Sequence, residues 1–312
     1  MIGYTFQFAW EVQLIEWCQT HIPQPAIETL SFLSNIGDTV VMVMLMAFFY
    51  LCYDRKLGKR IMYTTIISLI FAGELKNIFK RRRPYFDNEN IKCLKVVDKK
   101  YDMYDVEKQG FSFPSMHSSN IVNILGTWYK SNKSSILLVF SILFSLLVGI
   151  SRFVLGCHYP TDVIFGWLYG TASVIILGKV QDKLSNKHLY ILICVLCGIG
   201  FLYCESADFY TSSGIAFGFI ACNIVDDKYI NFKSTRNIVK VILRLLFAGS
   251  IFLITSEILK LPFTDEMLEA STVFSRTYRT IRYAVASFFG LGLTPMIYKY
   301  NILKLDDKMK DE

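Results

Sequence analysis

Long apolar stretches alternate with short polar segments along most of this chain. A helix needs about 20 apolar residues to cross the hydrocarbon core of a bilayer, and several stretches approach or exceed that length. The pattern predicts membrane-spanning helices near residues 26–52, 60–79, 115–129, 134–152, 160–179, 188–204, 210–225, 236–258 and 278–300. The predicted fold class is therefore all-α, a polytopic transmembrane helix bundle.

Composition agrees with a membrane location and limits the other classes of protein. Hydrophobic residues make up 53% of the 312 residues and charged residues 19%, with a mean hydropathy of +0.38. A soluble domain of this length carries more charge and fewer apolar runs. The net charge of +7 is therefore assigned to loops that face anionic lipid headgroups. No nucleic-acid partner is predicted, because no tract that mixes basic and aromatic residues lies outside the predicted spans.

The eight cysteines do not predict a metal site. Cys194 and Cys197 have the C-x-x-C spacing, but they lie inside an apolar run without a second pair of ligands. Most of the cysteines are interpreted as small buried hydrophobic residues. We predict no metal and no cofactor.

Changes in polarity divide the chain into segments. An amphipathic helix at Phe6–Cys18 places Trp10 and Trp17 at the membrane interface, and a helix packed on the bundle is an equal alternative. The polar stretch 80–113 is the one long connection, and such a loop in a compact bundle is typically functional or disordered. The predicted segments are an interfacial N-terminal segment (1–25), a core with the active site (26–187), further transmembrane helices (188–303) and a charged, frayed tail (304–312).

The first candidate motif is Lys76-x6-Arg83-Pro84, at the end of a predicted span. Seven residues are almost two helical turns, so the two cations share a face if the helix continues that far. An Arg fork and a Lys point charge together suit a phosphate group, and Pro84 is expected to end the helix. The alternative is a solvated cationic helix end beside lipid headgroups, although a lysine at the depth of Lys76 needs a partner.

The second candidate motif is Pro114-Ser115-Met116-His117, which opens a span after the long loop. Free backbone N–H groups and the macrodipole at a helix N-terminus favour an anion. Ser115 either donates to a phosphate oxygen or caps the helix. His117 is placed to deliver a proton to the leaving oxygen of a substrate.

The third candidate motif is Ser151-Arg152-x5-His158-x3-Asp162. Arg152 ends one span, and Asp162 begins the next after a turn. Asp162 is expected to accept Nδ1–H from His158, which would fix the tautomer and leave Nε2 as a nucleophile. An isolated histidine at a membrane edge is more often structural, but this one has an acid and an arginine at defined spacings.

The three motifs resemble the signature of the type 2 phosphatidic acid phosphatase (lipid phosphate phosphatase) superfamily, K-x6-R-P, P-S-G-H and S-R-x5-H-x3-D. They occur in the family's order and cover roughly residues 60–180. One position departs from the pattern, because Met116 stands where the family commonly has Gly. A backbone N–H is still present at Met116, so this departure bears on the shape and selectivity of the pocket more than on the chemistry.

The resemblance implies a role for each matching residue. His158 attacks phosphorus and forms a phosphohistidine, Asp162 orients and charge-stabilises it, and His117 protonates the departing lipid alkoxide and then activates water. The phosphoryl oxygens are held by Lys76, Arg83, Ser115, the backbone amides of Met116 and His117, and Arg152. Three cations and a helix N-terminus supply the positive charge that phosphoryl transfer needs without a metal. With His158 neutral and His117 charged, activity is expected to peak at mildly acidic to neutral pH.

The predicted substrate is a lipid phosphate whose headgroup lies at the membrane surface. Phosphatidate, phosphatidylglycerophosphate, a polyprenyl diphosphate and a sphingoid-base phosphate all fit. Many Lys and Arg residues lie at the end of the bundle opposite the motifs, but the loop 80–113 is also rich in Lys and Arg, so the charge count alone is close. The family's usual orientation favours an active site on the extracytoplasmic face of a bacterial cytoplasmic membrane.

Two other functions stay open from the sequence. The phosphohistidine can hand its phosphate to another lipid or sugar, which makes the protein a phosphotransferase. A transport or scaffold protein that binds phospholipid without turnover is the non-enzymatic alternative. Vanadate-dependent haloperoxidases share the site residues, but soluble proteins dominate that branch.

Charged residues outside the motifs are interpreted mainly as partners of one another. Arg276, Arg279 and Arg282 form a row on the last predicted span, where they contact a second phosphate or pair with acids. The pairing acids are Asp265, Glu266, Glu205 and Asp208, and pairing is favoured. Asp38 and Glu74 are expected to be ion-pair or hydrogen-bond partners rather than catalysts.

Overall fold

The computed structural model describes residues 3–96 and 98–299 and is built from helices. The predicted tail at 304–312 lies outside the described residues. Within them, a single bridge between Tyr4 and Arg81 is the only β pairing. The helices are α1 (Ala9–His21), α2 (Gln24–Ile36), α3 (Thr39–Phe48), α4 (Arg55–Phe79), α5 (Pro84–Asp87), α6 (Val106–Gln109), α7 (Met116–Asn132), α8 (Ser135–Val154), α9 (Pro160–Lys183), α10 (Asn186–Phe201), α11 (Ala207–Val225), α12 (Ile238–Ile258), α13 (Asp265–Glu269) and α14 (Val273–Lys299).

Each predicted span coincides with helix, which confirms the all-α bundle. Among the described residues, α4, α8, α9 and α12 are long and apolar enough to cross a membrane. The first predicted span is divided into α2 and α3, which together form one broken span or a re-entrant loop. For α7, α10, α11 and α14, a crossing of the membrane stays a prediction. The chain is an integral membrane protein.

Helix α7 lies at the centre of the N-terminal half, against α4, α8 and α9. Its approach to α9 requires glycine at two positions. A Cβ at Gly166 would lie 2.7 Å from the carbonyl oxygen of Ser115, and one at Gly170 would lie 2.9 Å from that of Ser119. Because these glycines let the two backbones meet, the first turn of α7 lies directly beside the second and third turns of α9. The C-terminal half is built on α14, which packs against α11 and α12, and α11 also packs on α4.

The end of α4 differs from the prediction. The helix stops at Phe79 because Lys80 takes a left-handed conformation with φ of 47°. Arg83 therefore does not lie on α4, so the condition under which it would share a helical face with Lys76 is not met. Pro84 begins the short helix α5 instead of ending α4, in agreement with the preference of proline for the first helical position.

The N-terminal helix α1 packs on the bundle through one face. Glu11, Ile15 and Cys18 are buried, whereas Trp10 and Trp17 are 46% and 57% exposed. Both indoles are exposed on the surface of the protein. The location of this segment at the membrane interface stays a prediction. The burial of a glutamate, however, indicates that α1 has a specific partner inside the protein.

Candidate active site

The three motifs meet at one end of the bundle, around His158. This residue lies in the turn between α8 and α9, where Gly156 has φ of 73°, and its side chain is 2% exposed. Burial, and then the nearby cations Arg83, Arg152 and Lys76, hold the pKa of His158 well below its usual range. The imidazole is therefore neutral at neutral pH, which is the form with a free nitrogen lone pair.

Arg152, on the last turn of α8, is buried to 98% beside this turn. Its Nη1 donates to Ser34 Oγ on α2, and its backbone carbonyl accepts from the N–H of His158 at 3.2 Å. Its Nε, although buried, has no hydrogen-bond partner among the described residues. A buried guanidinium with unused donors is a strong site for an oxyanion.

Arg83 is anchored by backbone carbonyls. Its Nε and Nη2 donate to Gln109 O at 3.0 and 2.8 Å, and its Nη1 donates to Cys157 O at 2.9 Å. These bonds tie the long loop and the turn of His158 to one guanidinium. Because Arg has five N–H donors, one hydrogen on each terminal nitrogen remains for a ligand.

Lys76 is 4% exposed, near the end of α4. Its Nζ lies 2.9 Å from Asp208 Oδ2, at the start of α11. The prediction that a lysine at this depth needs a partner is confirmed. The partner comes from the C-terminal half of the chain, far from the motifs in sequence.

The second motif forms the N-terminus of α7. Ser115 is the capping residue, with its Oγ accepting from Ser118 N at 3.4 Å, and its own N–H donates to Asp162 O at 3.2 Å. The capping alternative for Ser115 is therefore realised. Met116 is the first helical residue, and neither its N–H nor that of His117 has an acceptor among the described residues. Both amides are available to an anion.

His117 belongs to a charged cluster with the break between α2 and α3. Its Nε2 lies 3.0 Å from Asp38 Oδ1, and Lys95 Nζ lies 3.2 Å from Asp38 Oδ2. Gly37 allows this contact, because a Cβ there would lie 2.6 Å from Cδ2 of the His117 ring. The prediction that Asp38 serves as a partner is confirmed.

Asp162 does not make the predicted hydrogen bond to His158. The two atoms, His158 Nδ1 and Asp162 Oδ2, lie 3.5 Å apart, and Nδ1 has no hydrogen-bond partner among the described residues. The carboxylate instead accepts from Tyr159 N at 2.8 Å and from Arg81 Nη1 at 2.6 Å. Asp162 is thus held next to the imidazole by other donors.

Arg81 is the functional candidate that the sequence did not single out. It is 1% exposed and bonds Glu11 Oε2 at 2.8 Å in addition to Asp162. Its guanidinium also lies over the rings of Tyr159 and Phe6, 3.9 and 4.7 Å from their centroids. Nothing in the run 81–83 distinguishes this arginine from its neighbours, although a glutamate inside the apolar α1 indicates a buried cationic partner.

The remaining charged residues follow the predictions in part. Arg276 pairs with Glu205 at 3.6 Å, as the pairing alternative requires. Asp208 instead pairs with Lys76, and Asp265 lies 3.7 Å from Lys100. The prediction for Glu74 is wrong. This residue is 5% exposed, and its Oε1 has no hydrogen-bond partner among the described residues.

Comparison with known proteins places these motifs in a family. Residues 57–186 match the model of the PAP2 superfamily, and residues 210–305 match that of the PAP2 superfamily phosphatase transmembrane extension. An undecaprenyl-diphosphatase of Sulfolobus acidocaldarius is 27% identical over 163 residues, which are 51% of this chain and 72% of that protein. No solved structure matches the chain.

Proposed function

Because this chain belongs to the PAP2 superfamily and is a membrane phosphatase, we propose that it hydrolyses a lipid phosphate or diphosphate through a phosphohistidine at His158, without a metal ion. The observation that carries the proposal is the surroundings of this imidazole. The positive charges of Lys76, Arg83 and Arg152 lower the pKa of the imidazole. The buried Nε of Arg152 lacks a hydrogen-bond partner among the described residues. Attack on a phosphate dianion requires a neutral nucleophile and a high local density of positive charge.

The first chemical step is attack of His158 Nε2 on phosphorus. The bond from nitrogen to phosphorus forms while the bond from phosphorus to the leaving oxygen breaks, and His117 gives that oxygen a proton. Lys76, Arg83, Arg152 and the free amides at the start of α7 stabilise the charge on the equatorial oxygens. Asp162 Oδ2 faces Nδ1 at 3.5 Å and stabilises the positive charge that the ring acquires.

The second step returns the enzyme to its starting state. Water gives a proton to His117 and attacks phosphorus, which breaks the bond to His158 and releases inorganic phosphate. His117 is suited to both steps because Asp38 Oδ1, 3.0 Å from its Nε2, orients the ring. This second step distinguishes a hydrolase from a phosphotransferase, in which another hydroxyl takes the place of water.

The lipid is proposed to be an isoprenoid diphosphate or a related lipid phosphate. The support is the relative named as an undecaprenyl-diphosphatase and the position of the site at one end of α4, α8 and α9, where a headgroup would lie. We place this end on the extracytoplasmic face. The opposite end carries many basic residues of the kind that favour the cytoplasm, among them Arg55, Lys56, Lys59, Arg60, Lys130, Lys133, Lys179, Lys183 and Lys187.

Phosphate release from a panel of lipid phosphates, in detergent with EDTA, tests the proposed function. The panel contains undecaprenyl diphosphate, phosphatidate, phosphatidylglycerophosphate and a sphingoid-base phosphate. Release from at least one lipid in EDTA is expected. Release that depends on added divalent metal contradicts metal independence, and transfer of labelled phosphate to an added alcohol without release identifies a phosphotransferase.

The pH dependence of kcat/KM is expected to follow the lowered pKa of His158. The neutral ring is the nucleophile, and a lowered pKa keeps the ring neutral as the pH falls below about 6.5, its ordinary value. The acid limb of the profile should therefore lie below that value. A rate profile from pH 4 to 9 on the preferred lipid measures it, and an acid limb at or above pH 6.5 would contradict the assignment.

A further inference from the structure

A cavity of about 570 Å³ lies at the end of α4 that is opposite to Lys76. The starts of α4 and α10, the end of α9 and the segment 226–234 surround it. Lys59, in its wall, and Lys76 lie about 25 Å apart along the axis of α4, at about 1.5 Å per residue. The cavity is therefore separate from the active site and opens at the other surface of the membrane. Its charged lining residues are Asp54, Arg55, Lys56, Lys59, Arg60, Asp227 and Lys233.

Ion pairs hold the deeper cations of this cavity in place. Arg55 lies 2.7 Å from both Asp226 and Asp227, and Lys59 also pairs with Asp227. The carboxylates neutralise only part of the positive charge. Lys56 and Lys233 are exposed at the rim, and neither has an acidic partner among the described residues.

The backbone around the cavity is irregular on both sides. Residues Phe49–Tyr53 and Asp226–Ile230 are π-helical, and Asn231 has a left-handed conformation with φ of 47°. π-Helical turns occur frequently at functional sites. The guanidinium carbon of Arg55 lies over the ring of Phe232, 5.5 Å from the ring centroid. This ring provides an apolar wall beside the charges.

We propose that this cavity binds the phosphate headgroup of an anionic phospholipid in the leaflet opposite the active site. Lys56 and Lys233, the cavity cations without an acidic partner among the described residues, match the charge of a phosphodiester. Basic pockets at the cytoplasmic ends of transmembrane helices bind anionic headgroups, and the ends of α4 and α9 meet here. A free phosphate compound has the same charge, so the source of the phosphate is part of the test.

Thermal unfolding of the full chain in detergent tests this site. Phosphatidylglycerol, phosphatidylcholine and glycerol phosphate are added separately to wild type, to Lys56→Gln/Lys233→Gln and to Lys179→Gln/Lys183→Gln. The second pair is the matched control, because both lysines are exposed at the same end of the bundle but do not line the cavity. We expect phosphatidylglycerol to raise the Tm of wild type and control, and the concentration for half the effect to rise about tenfold in the cavity variant.

Three results would overturn the lipid assignment. Equal stabilisation by phosphatidylcholine would show that headgroup charge is not recognised. Equal stabilisation by glycerol phosphate would identify a site for a soluble phosphate instead. The same loss in both double variants would show a general surface effect. The test does not depend on catalysis, so its failure leaves the proposed function intact.

A second and independent observation concerns the contact between α4 and the C-terminal helices. The side chain of Asn77 binds the start of α11, accepting from Glu205 N at 2.8 Å and donating to Ser206 Oγ at 2.8 Å. A Cβ at Gly73 would lie 3.2 Å from the Cα of Phe209. These contacts fix the first turn of α11 on the last turns of α4, beside the ion pair of Lys76 and Asp208 at 2.9 Å.

We infer that Asp208 is a positioning residue for Lys76, so that α11 completes the phosphate pocket. This inference rests on the proposed function. A lysine side chain has four flexible carbons and is held in one orientation only by a partner. Asp208 supplies that partner from a helix that the contacts of Asn77 hold in place.

Binding of orthophosphate and turnover of the lipid substrate are measured for Asp208→Asn, Asp208→Glu and Glu205→Gln. Glu205 is the control because it also lies at the start of α11 but pairs with Arg276. We expect Asp208→Asn to lower kcat/KM by about 10- to 100-fold. We also expect it to weaken the binding of orthophosphate, which is measured by thermal shift. Asp208→Glu should restore part of both, and Glu205→Gln should resemble wild type.

Two results would contradict the role of Asp208. Unchanged orthophosphate binding in Asp208→Asn would mean that the ion pair is only structural. Tighter binding would mean that Asp208 competes with phosphate for Lys76. If wild type shows no turnover, the proposed function fails, and orthophosphate binding still decides the role of Asp208.

Discussion

Replacement of His158 by alanine is expected to abolish lipid phosphate hydrolysis, with a loss of about 10⁴-fold or more in kcat. The imidazole is the proposed nucleophile. The second imidazole of the site, His117, is held by Asp38 at 3.0 Å and is assigned the proton transfers, so it is not expected to replace His158. Wild type incubated with ³²P-labelled substrate and quenched in alkali should retain label as phosphohistidine. The alanine variant should retain none.

The control for this prediction is His188→Ala. His188 is exposed at the opposite end of the bundle, where its Nδ1 contacts Ser185 Oγ at 2.8 Å, and its loss should leave turnover unchanged. Orthophosphate binding to His158→Ala, followed by thermal shift, shows whether the variant keeps its phosphate pocket. If the His158→Ala variant binds phosphate and still turns over the lipid, His158 is excluded as the nucleophile.

Replacement of Arg81 by alanine is expected to destabilise the protein by about 3 kcal/mol or more and to reduce turnover strongly. Arg81 bonds two fully buried carboxylates, Glu11 at 2.8 Å and Asp162 at 2.6 Å. Its loss leaves both without their cation, and Asp162 is no longer held beside His158. Thermal or denaturant unfolding in detergent measures the stability, and phosphate release measures the turnover.

The adjacent Arg82 provides a matched control. It pairs with Asp87 at 2.7 Å, and the two side chains are 33% and 19% exposed. Because solvent screens such a pair, Arg82→Ala should cost at most about 1 kcal/mol and should keep turnover. Glu11→Gln in the Arg81→Ala background should recover part of the lost stability, since it removes one uncompensated buried charge. Equal behaviour of the Arg81 and Arg82 variants would contradict the role given to Arg81.

Local spacing was enough to predict much of the candidate site. Ser151, Arg152, His158 and Asp162 belong to one helix, one turn and the next helix, so their proximity depends on short-range geometry. The same holds for the start of α7, where Pro114 and Ser115 come just before the first helical turn. The apolar pattern likewise predicted every long helix, because burial in lipid or in the bundle requires a continuous apolar stretch.

Contacts between segments distant in sequence were less predictable. The left-handed Lys80 ends α4 early, and no residue in the run 80–83 carries a strong signal for it. The spacing from Lys76 to Arg83 was therefore interpreted as helical when the two residues converge across a turn. Similarly, the distance of 3.5 Å between His158 and Asp162 depends on Tyr159 and Arg81, which compete for the carboxylate.

The sequence by itself determined the class of fold, the family and the residues that surround the proposed nucleophile, because apolar length and short motif spacings are local properties of the chain. Only the tertiary structure decided which acids accompany the buried cations Arg81 and Lys76. Glu11 for Arg81 and Asp208 for Lys76 are separated from their partners by 70 and 132 residues. Ion pairs of this kind form wherever packing brings opposite charges together away from water, and no local pattern records that choice.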